Sequence, residues 1–150
     1  MDAVTYPDRR VIEFMGKYLI PVRVAFNARP WAAEFNVQWT PTLITLDTQG
    51  KEHHRSLGFL SAEELVPSLL LGMAKVHFDL GEQEKALKLL NTVLQDHPKS
   101  DAAPEAAYLR GVSTYKHTHN AAPLKGAYEF LKAHYPASEW TRRAYPYRLL

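Results

Sequence analysis

Apolar side chains change their period several times along the first sixty residues. Val11, Ile12, Phe14, Met15 and Tyr18 fall mostly on one face at helical spacing behind Tyr6-Pro7-Asp8, which predicts a short amphipathic helix over 8–17. Leu19 to Phe26 is apolar but for Arg23 and predicts a buried strand, with Pro21 near its beginning where a missing donor does least harm. Asn27 to Pro30 breaks that pattern, and Trp31 to Phe35 predicts a short helix. Thr42 to Leu46 is apolar and β-branched and ends in Asp47-Thr48-Gln49-Gly50, a turn into 51–59. Together these predict a hairpin with Pro41 at its mouth. Proline has no N–H to give a ladder, so Pro41 belongs at the first position of a strand or on an edge, and the bond before it is a candidate for the cis form.

Beyond Phe59 the pattern turns helical. Ser61-Ala62-Glu63-Glu64 reads as a capping box, with Glu64 three residues past Ser61, and it opens a helix through Leu65, Leu69, Leu70 and Met73 that Pro67 interrupts near its start. From Leu71, the small Ala86, large Leu90, apolar Val93 and terminal Pro98, with Gly81 turning between two helices, are spaced as in a tetratricopeptide repeat, which the segment 74–98 resembles. A weaker unit follows over 106–116 and 128–136, and Trp140, Ala144 and Tyr147 open a capping helix. One repeat cannot bury its own apolar face, so these helices are expected to pack on each other and on the first half of the chain.

Composition narrows the function. The chain has 150 residues, 46% hydrophobic and 23% charged, enough for a normal core. Its 18 basic and 16 acidic residues are mixed along the sequence, so nucleic-acid binding has little electrostatic support. No apolar run reaches the roughly 18–20 residues of a membrane span, and Met1-Asp2-Ala3-Val4 has no signal-peptide character, which makes a cytoplasmic location the expectation. There is no cysteine, hence no disulfide, no thiolate nucleophile and no cysteine metal site. The seven glycines are isolated and form no phosphate loop, and no Ser/His/Asp or paired-carboxylate constellation stands out, so no cofactor is implied.

Val37-x-Trp39-Thr40-Pro41-Thr42-Leu43, then Asp47-x-x-Gly50-Lys51-Glu52, then Gly58-Phe59 and an amphipathic helix, resembles the C-terminal half of a thioredoxin fold. Residues 1–8 and the helix after them are similar to the segment that follows Cys-x-x-Cys in that superfamily. The resemblance implies a fold that is α/β plus α. A partial thioredoxin-like sheet of three strands fills 1–72, and an all-helical tetratricopeptide-like region fills 73–150. It further implies that the first strand, first helix, second strand and both cysteines would lie upstream of Met1, as in a truncated or misassigned start. A continuous upstream reading frame encoding Cys-x-x-Cys would support that.

Under this resemblance Trp39, Thr40 and Pro41 are the substrate-binding loop. In the superfamily the proline faces the redox motif, and its backbone pairs with an extended peptide. The bland alternative is a strand-initiating proline with Trp39 filling core. His53 and His54 are expected on opposite faces of a solvated strand, unable to share a metal. His117-x-His119 is expected in a polar loop with no ligand partner, and Tyr108, Tyr115, Tyr128, Tyr135 and Trp140 in helix-packing core. The implied partner is a protein or peptide, and the unpaired sheet edges offer a surface that a second copy could cover. The two function classes left open are a thioredoxin-family protein without its redox motif and a redox-inert adaptor that binds through its helical repeats. With no cysteine this chain should not turn over disulfides: an insulin-reduction assay is expected to show no activity, and clear turnover refutes it.

Overall fold

The structure, a computed structural model, describes residues 1–150. In chain order the elements are α1 (Arg9–Tyr18), α2 (Trp31–Glu34), β1 (Thr42–Leu46), β2 (Glu52–Leu57), α3 (Ala62–Asp79), α4 (Gln83–Asp96), α5 (Ala103–Thr118), α6 (Ala122–His134), α7 (Glu139–Ala144) and a closing 3-10 turn (Tyr145–Leu149). The class is α plus β, mostly helical, with one two-stranded antiparallel sheet. No helix is long and apolar enough to cross a membrane.

α1 starts where Asp8 accepts from the Arg10 backbone N–H at 2.9 Å. The Arg10 guanidinium spans Asp8 and Glu63, and Thr5 Oγ1 donates to the Leu60 carbonyl at 2.6 Å, so the first turn of α1 is tied to the start of α3. Val11 fills the space between them against Ala62 and Leu65.

The third strand expected over Leu19–Phe26 does not form. Residues 20–24 make no backbone–backbone hydrogen bond, and Ile20 and Val22 are 92% and 77% exposed. A strand exists only against a neighbour, and β1 pairs with β2 alone, so nothing adjoins this segment. The expected capping box is also absent. Ser61 flanks α3 without a side-chain cap, and the Glu64 carboxylate instead accepts from the Asp101 N–H at 2.9 Å, fixing the loop before α5 to α3.

α3 is a single helix of 18 residues, so the junction expected after residue 72 lies inside it. Pro67, its sixth residue, is fully buried. At Gly72 the hairpin comes down onto the helix backbone: a Cβ there would lie 2.5 Å from Thr45 Oγ1 and 3.2 Å from the His54 ring. From α3 onward each helix packs on the next, with Gly81 at φ +78° turning α3 into α4. Leu70, Leu71 and Ala74 of α3 meet Leu90 and Val93 of α4, and Ala103, Ala106 and Ala107 give α5 a small-residue face in the same core. Tyr108, Tyr128, Tyr135 and Trp140 pack against this core, whereas Tyr115 is 40% exposed.

Gly111 of α5 sits where α6 begins. A Cβ there would lie 2.5 Å from Ala127 Cβ and 3.0 Å from the Pro123 carbonyl oxygen, while Gly126 of α6 faces open space. Gly111→Ala is therefore expected to cost about 1–2 kcal/mol net of its helix-propensity gain, lowering Tm by roughly 3–6 °C. Gly126→Ala should raise Tm by roughly 2–3 °C, the propensity gain alone. Thermal melts of the two variants check both, and equal shifts would contradict the packing of α5 on α6.

Candidate functional site

The Trp39–Pro41 loop leads into β1 on the outside of the molecule. Trp39 is 64% exposed, Thr40 is exposed and Pro41 is half-buried, so Trp39 does not fill core. Both the Thr40–Pro41 and the Arg29–Pro30 peptide bonds are cis. Two of the loop's carbonyls are occupied: Thr42 Oγ1 donates to the Trp39 oxygen at 2.6 Å and the Gly58 N–H to the Pro41 oxygen at 2.8 Å. The backbone of Thr40 between them has no backbone partner.

Several large apolar side chains of the first sixty residues are exposed. Phe26, Trp31, Leu57 and Phe59 are each at least half exposed, as are Ile20 and Val22. The α3-facing side of the hairpin is mixed, with Leu43 packed against the Val11, Ala62 and Leu65 cluster and polar groups beside it. Thr45, His54 and Ser56 point there, and Ser56 Oγ and Ser68 Oγ lie 2.8 Å apart.

The two adjacent histidines do not lie on opposite faces of a solvated strand. Thr45 pairs with His54 but Leu46 pairs with Glu52, so His53 is the extra residue of a β-bulge. The bulge breaks the two-residue alternation and lets both rings reach α3, His53 at Asp79 and His54 at Ser68 and Lys75.

His53 has no exposed side-chain surface, although it sits near the rim, where Asp79 is 42% exposed. Its ring nitrogens face two carboxylates, Nε2 at 2.9 Å from Asp47 Oδ2 and Nδ1 at 2.6 Å from Asp79 Oδ2. The hydrogen bond to Asp47, outweighing the cost of burial and aided by Asp79, pushes the His53 pKa up. Asp47 is held in turn. Its other oxygen accepts from the N–H groups of Gln49 and Lys51 at 2.8 and 2.9 Å, and its pKa is lowered, first by His53.

His54 is the electrostatic opposite. Burial, then the neighbouring Lys75 charge, lowers its pKa to about 4, so the ring is neutral. Lys75, paired with Glu105 of α5, approaches Nδ1 at 3.3 Å. An ammonium can only donate, so Nδ1 is the acceptor and the ring proton resides on Nε2, facing Ser68 Oγ at 3.3 Å and Ser56 Oγ at 3.4 Å. A histidine that donates to a serine cannot take its proton, so this cluster is not a nucleophile–base pair.

His117 lies inside α5 rather than in a loop, 4.0 Å from Glu84, and His119 ends that helix in the left-handed conformation. No group of three or more His, Asp or Glu side chains is arranged to hold a metal ion. A groove of about 300 Å³ between α1, α3 and α4 is lined by Phe14, Tyr18, Val66, Leu70, Met73 and Leu89, with polar groups only at its α4 end. Sequence reasoning missed the Asp47–His53–Asp79 and His54–Lys75–Glu105 clusters, because a bulge and contacts 21 to 30 residues apart place them. Compared with protein-family models, with curated proteins and with solved structures, the chain matches none.

Because the folded chain lowers the His54 pKa, the unfolded chain binds that proton more readily, and stability falls as pH drops from about 6.5 towards 4. The loss should reach on the order of 3 kcal/mol at the acid end. His54→Gln is expected to flatten the dependence of Tm on pH across this window. An unchanged acid slope would show that His54 is not the group responsible.

Proposed function

We propose that the chain is a protein-binding module, thioredoxin-like in its first half and tetratricopeptide-like in its helices, that binds an extended polypeptide without redox chemistry. The observation that carries this reading is the segment Ile20-Pro21-Val22-Arg23-Val24-Ala25-Phe26. Its alternate residues are large, apolar and exposed, and the backbone of residues 20–24 is unpaired. An added strand would satisfy those backbone groups and cover the apolar row, the mode by which sheet edges take up extended peptides. Trp39, Thr40 and Pro41 would supply a second contact, with the free backbone of Thr40 and the exposed indole of Trp39, while the helices orient the partner. In a disulfide oxidoreductase relative the same loop would face a thiolate; with no cysteine it can bind but not exchange.

Support also comes from what the segment lacks. A row of β-branched and aromatic side chains left in water stabilises nothing in this chain, and burying such a row against a partner recovers its transfer free energy. The probe for this reading is reduced, carboxymethylated α-lactalbumin, an unfolded chain with blocked thiols, titrated calorimetrically into the full protein. Binding is expected, and the double variant Val22→Asp, Val24→Asp should weaken it at least about tenfold, roughly 1.4 kcal/mol or more, with an unaltered circular-dichroism melt. Affinity that survives the double substitution, or no binding by the parent chain, overturns the proposal.

A further inference from the structure

Both nitrogens of the His53 ring point at carboxylate oxygens, Asp47 Oδ2 at 2.9 Å and Asp79 Oδ2 at 2.6 Å. An ionised carboxylate accepts and does not donate, so both contacts are hydrogen bonds only when both ring nitrogens carry protons. A neutral imidazole has one N–H and one lone pair, and it would turn that lone pair towards a negative oxygen. The arrangement is therefore one of a charged ring between two anions, and removal of a single proton converts one attraction into a repulsion.

The position of the cluster gives this a mechanical meaning. Asp47 begins the turn at the tip of the hairpin and holds two of that turn's N–H groups, while Asp79 is the last residue of α3, immediately before the Leu80-Gly81 turn into α4. Towards the base of the hairpin the contacts with α3 include Leu43 packed against Ala62 and Leu65, the serine pair Ser56–Ser68 and the His54–Lys75 pair, none of which needs a charged histidine. At the tip the contact is His53. We propose that Asp47, His53 and Asp79 form a proton-operated latch, which fastens the hairpin tip to the C-terminal end of α3 while His53 is charged and releases it when His53 is neutral.

The surrounding charges leave this balance intact. In the turn, Lys51 is exposed; on β2, Glu52 is bound to Arg55, and His54 faces Lys75 and the serines. On α3, Lys75 is paired with Glu105 and His77 with Glu82, leaving Asp79 as the α3 group facing the ring. The direction of the His53 shift, upward, agrees with this geometry. Its sign fixes the pH window: the latch is fully closed below the ordinary histidine value of about 6.5 and opens as pH rises through the raised value. The inference does not depend on the peptide-binding proposal, since its readouts concern the hairpin alone.

Side-chain NMR of the full chain, titrated from pH 5 to 10, reads the latch directly. His53 is expected to titrate above about 6.5, and Asp79→Asn, at a position 42% exposed, should lower its midpoint. Amide exchange of the hairpin-tip residues, corrected for intrinsic rates, should lose protection several-fold between pH 6 and pH 9 in the parent chain. In His53→Gln the protection should be low at both values. A His53 midpoint at or below the ordinary value, a midpoint unmoved by Asp79→Asn, or tip protection equal at pH 6 and pH 9 in the parent chain would each overturn the proposal. Should His53→Gln not fold, the parent and Asp79→Asn titrations decide the question.

Discussion

The approach of the β1–β2 hairpin to the backbone of α3 at Gly72 is the constraint on which the rest of the molecule depends. With Thr45 Oγ1 only 2.5 Å from where a Cβ would be, a larger residue there would lift the hairpin from the helix. The same helix buries Leu70, Leu71 and Ala74 against α4 and α5. A helix covered on one side by a sheet and on the other by helices has no wide solvent stripe, so its residues are apolar or small nearly all round. It also means that the hairpin and the helices that follow share one structural element, α3.

The interface beneath the hairpin is apolar at one end, where Leu43 packs against the Val11, Ala62 and Leu65 cluster, and polar over the rest. Thr45, His54, Ser56, Ser68 and Lys75 occupy it, and Glu105 reaches Lys75 from α5. No buried side-chain nitrogen or oxygen in the molecule is left without a partner. Such a network gains little net stability over water, yet it tolerates only one register, because a slip of one residue would leave several groups buried and unpaired. Exposed apolar side chains lie elsewhere, along 20–26 and at Trp39. The inner face of the hairpin fixes its geometry on α3.

Much of this was legible in the sequence, and the parts that were not share a cause. The first helix, the hairpin and the helical pairs follow from spacing, turn residues and caps, all local signals, and Asp8, Asp47 with Gly50, and Gly81 act where they were expected. The strand over Leu19–Phe26 failed because strand formation depends on a neighbour, which no local pattern can supply. The opposite-face reading of His53 and His54 failed because alternation holds only while the ladder is regular, and the bulge opposite Leu46 interrupts it. The capping-box reading failed because Glu64 found a better partner in a loop 37 residues away. Of the site loop, local sequence leaves Trp39 open between a peptide contact and core filling; it is exposed, which excludes the core.

The bulge has a further consequence, for it places two consecutive histidines in opposite electrostatic settings. His53 is turned between carboxylates that favour its charged form, and His54 is buried beside an ammonium that disfavours it. Without the extra residue, alternation would carry one of the two rings to the outer face and into water, where neither environment exists. Acid then acts on the middle of the hairpin through His54, and base acts on its tip through His53. Between those limits each ring is in the protonation state its surroundings require, so one inserted residue sets both edges of the pH range over which the hairpin and α3 fit together.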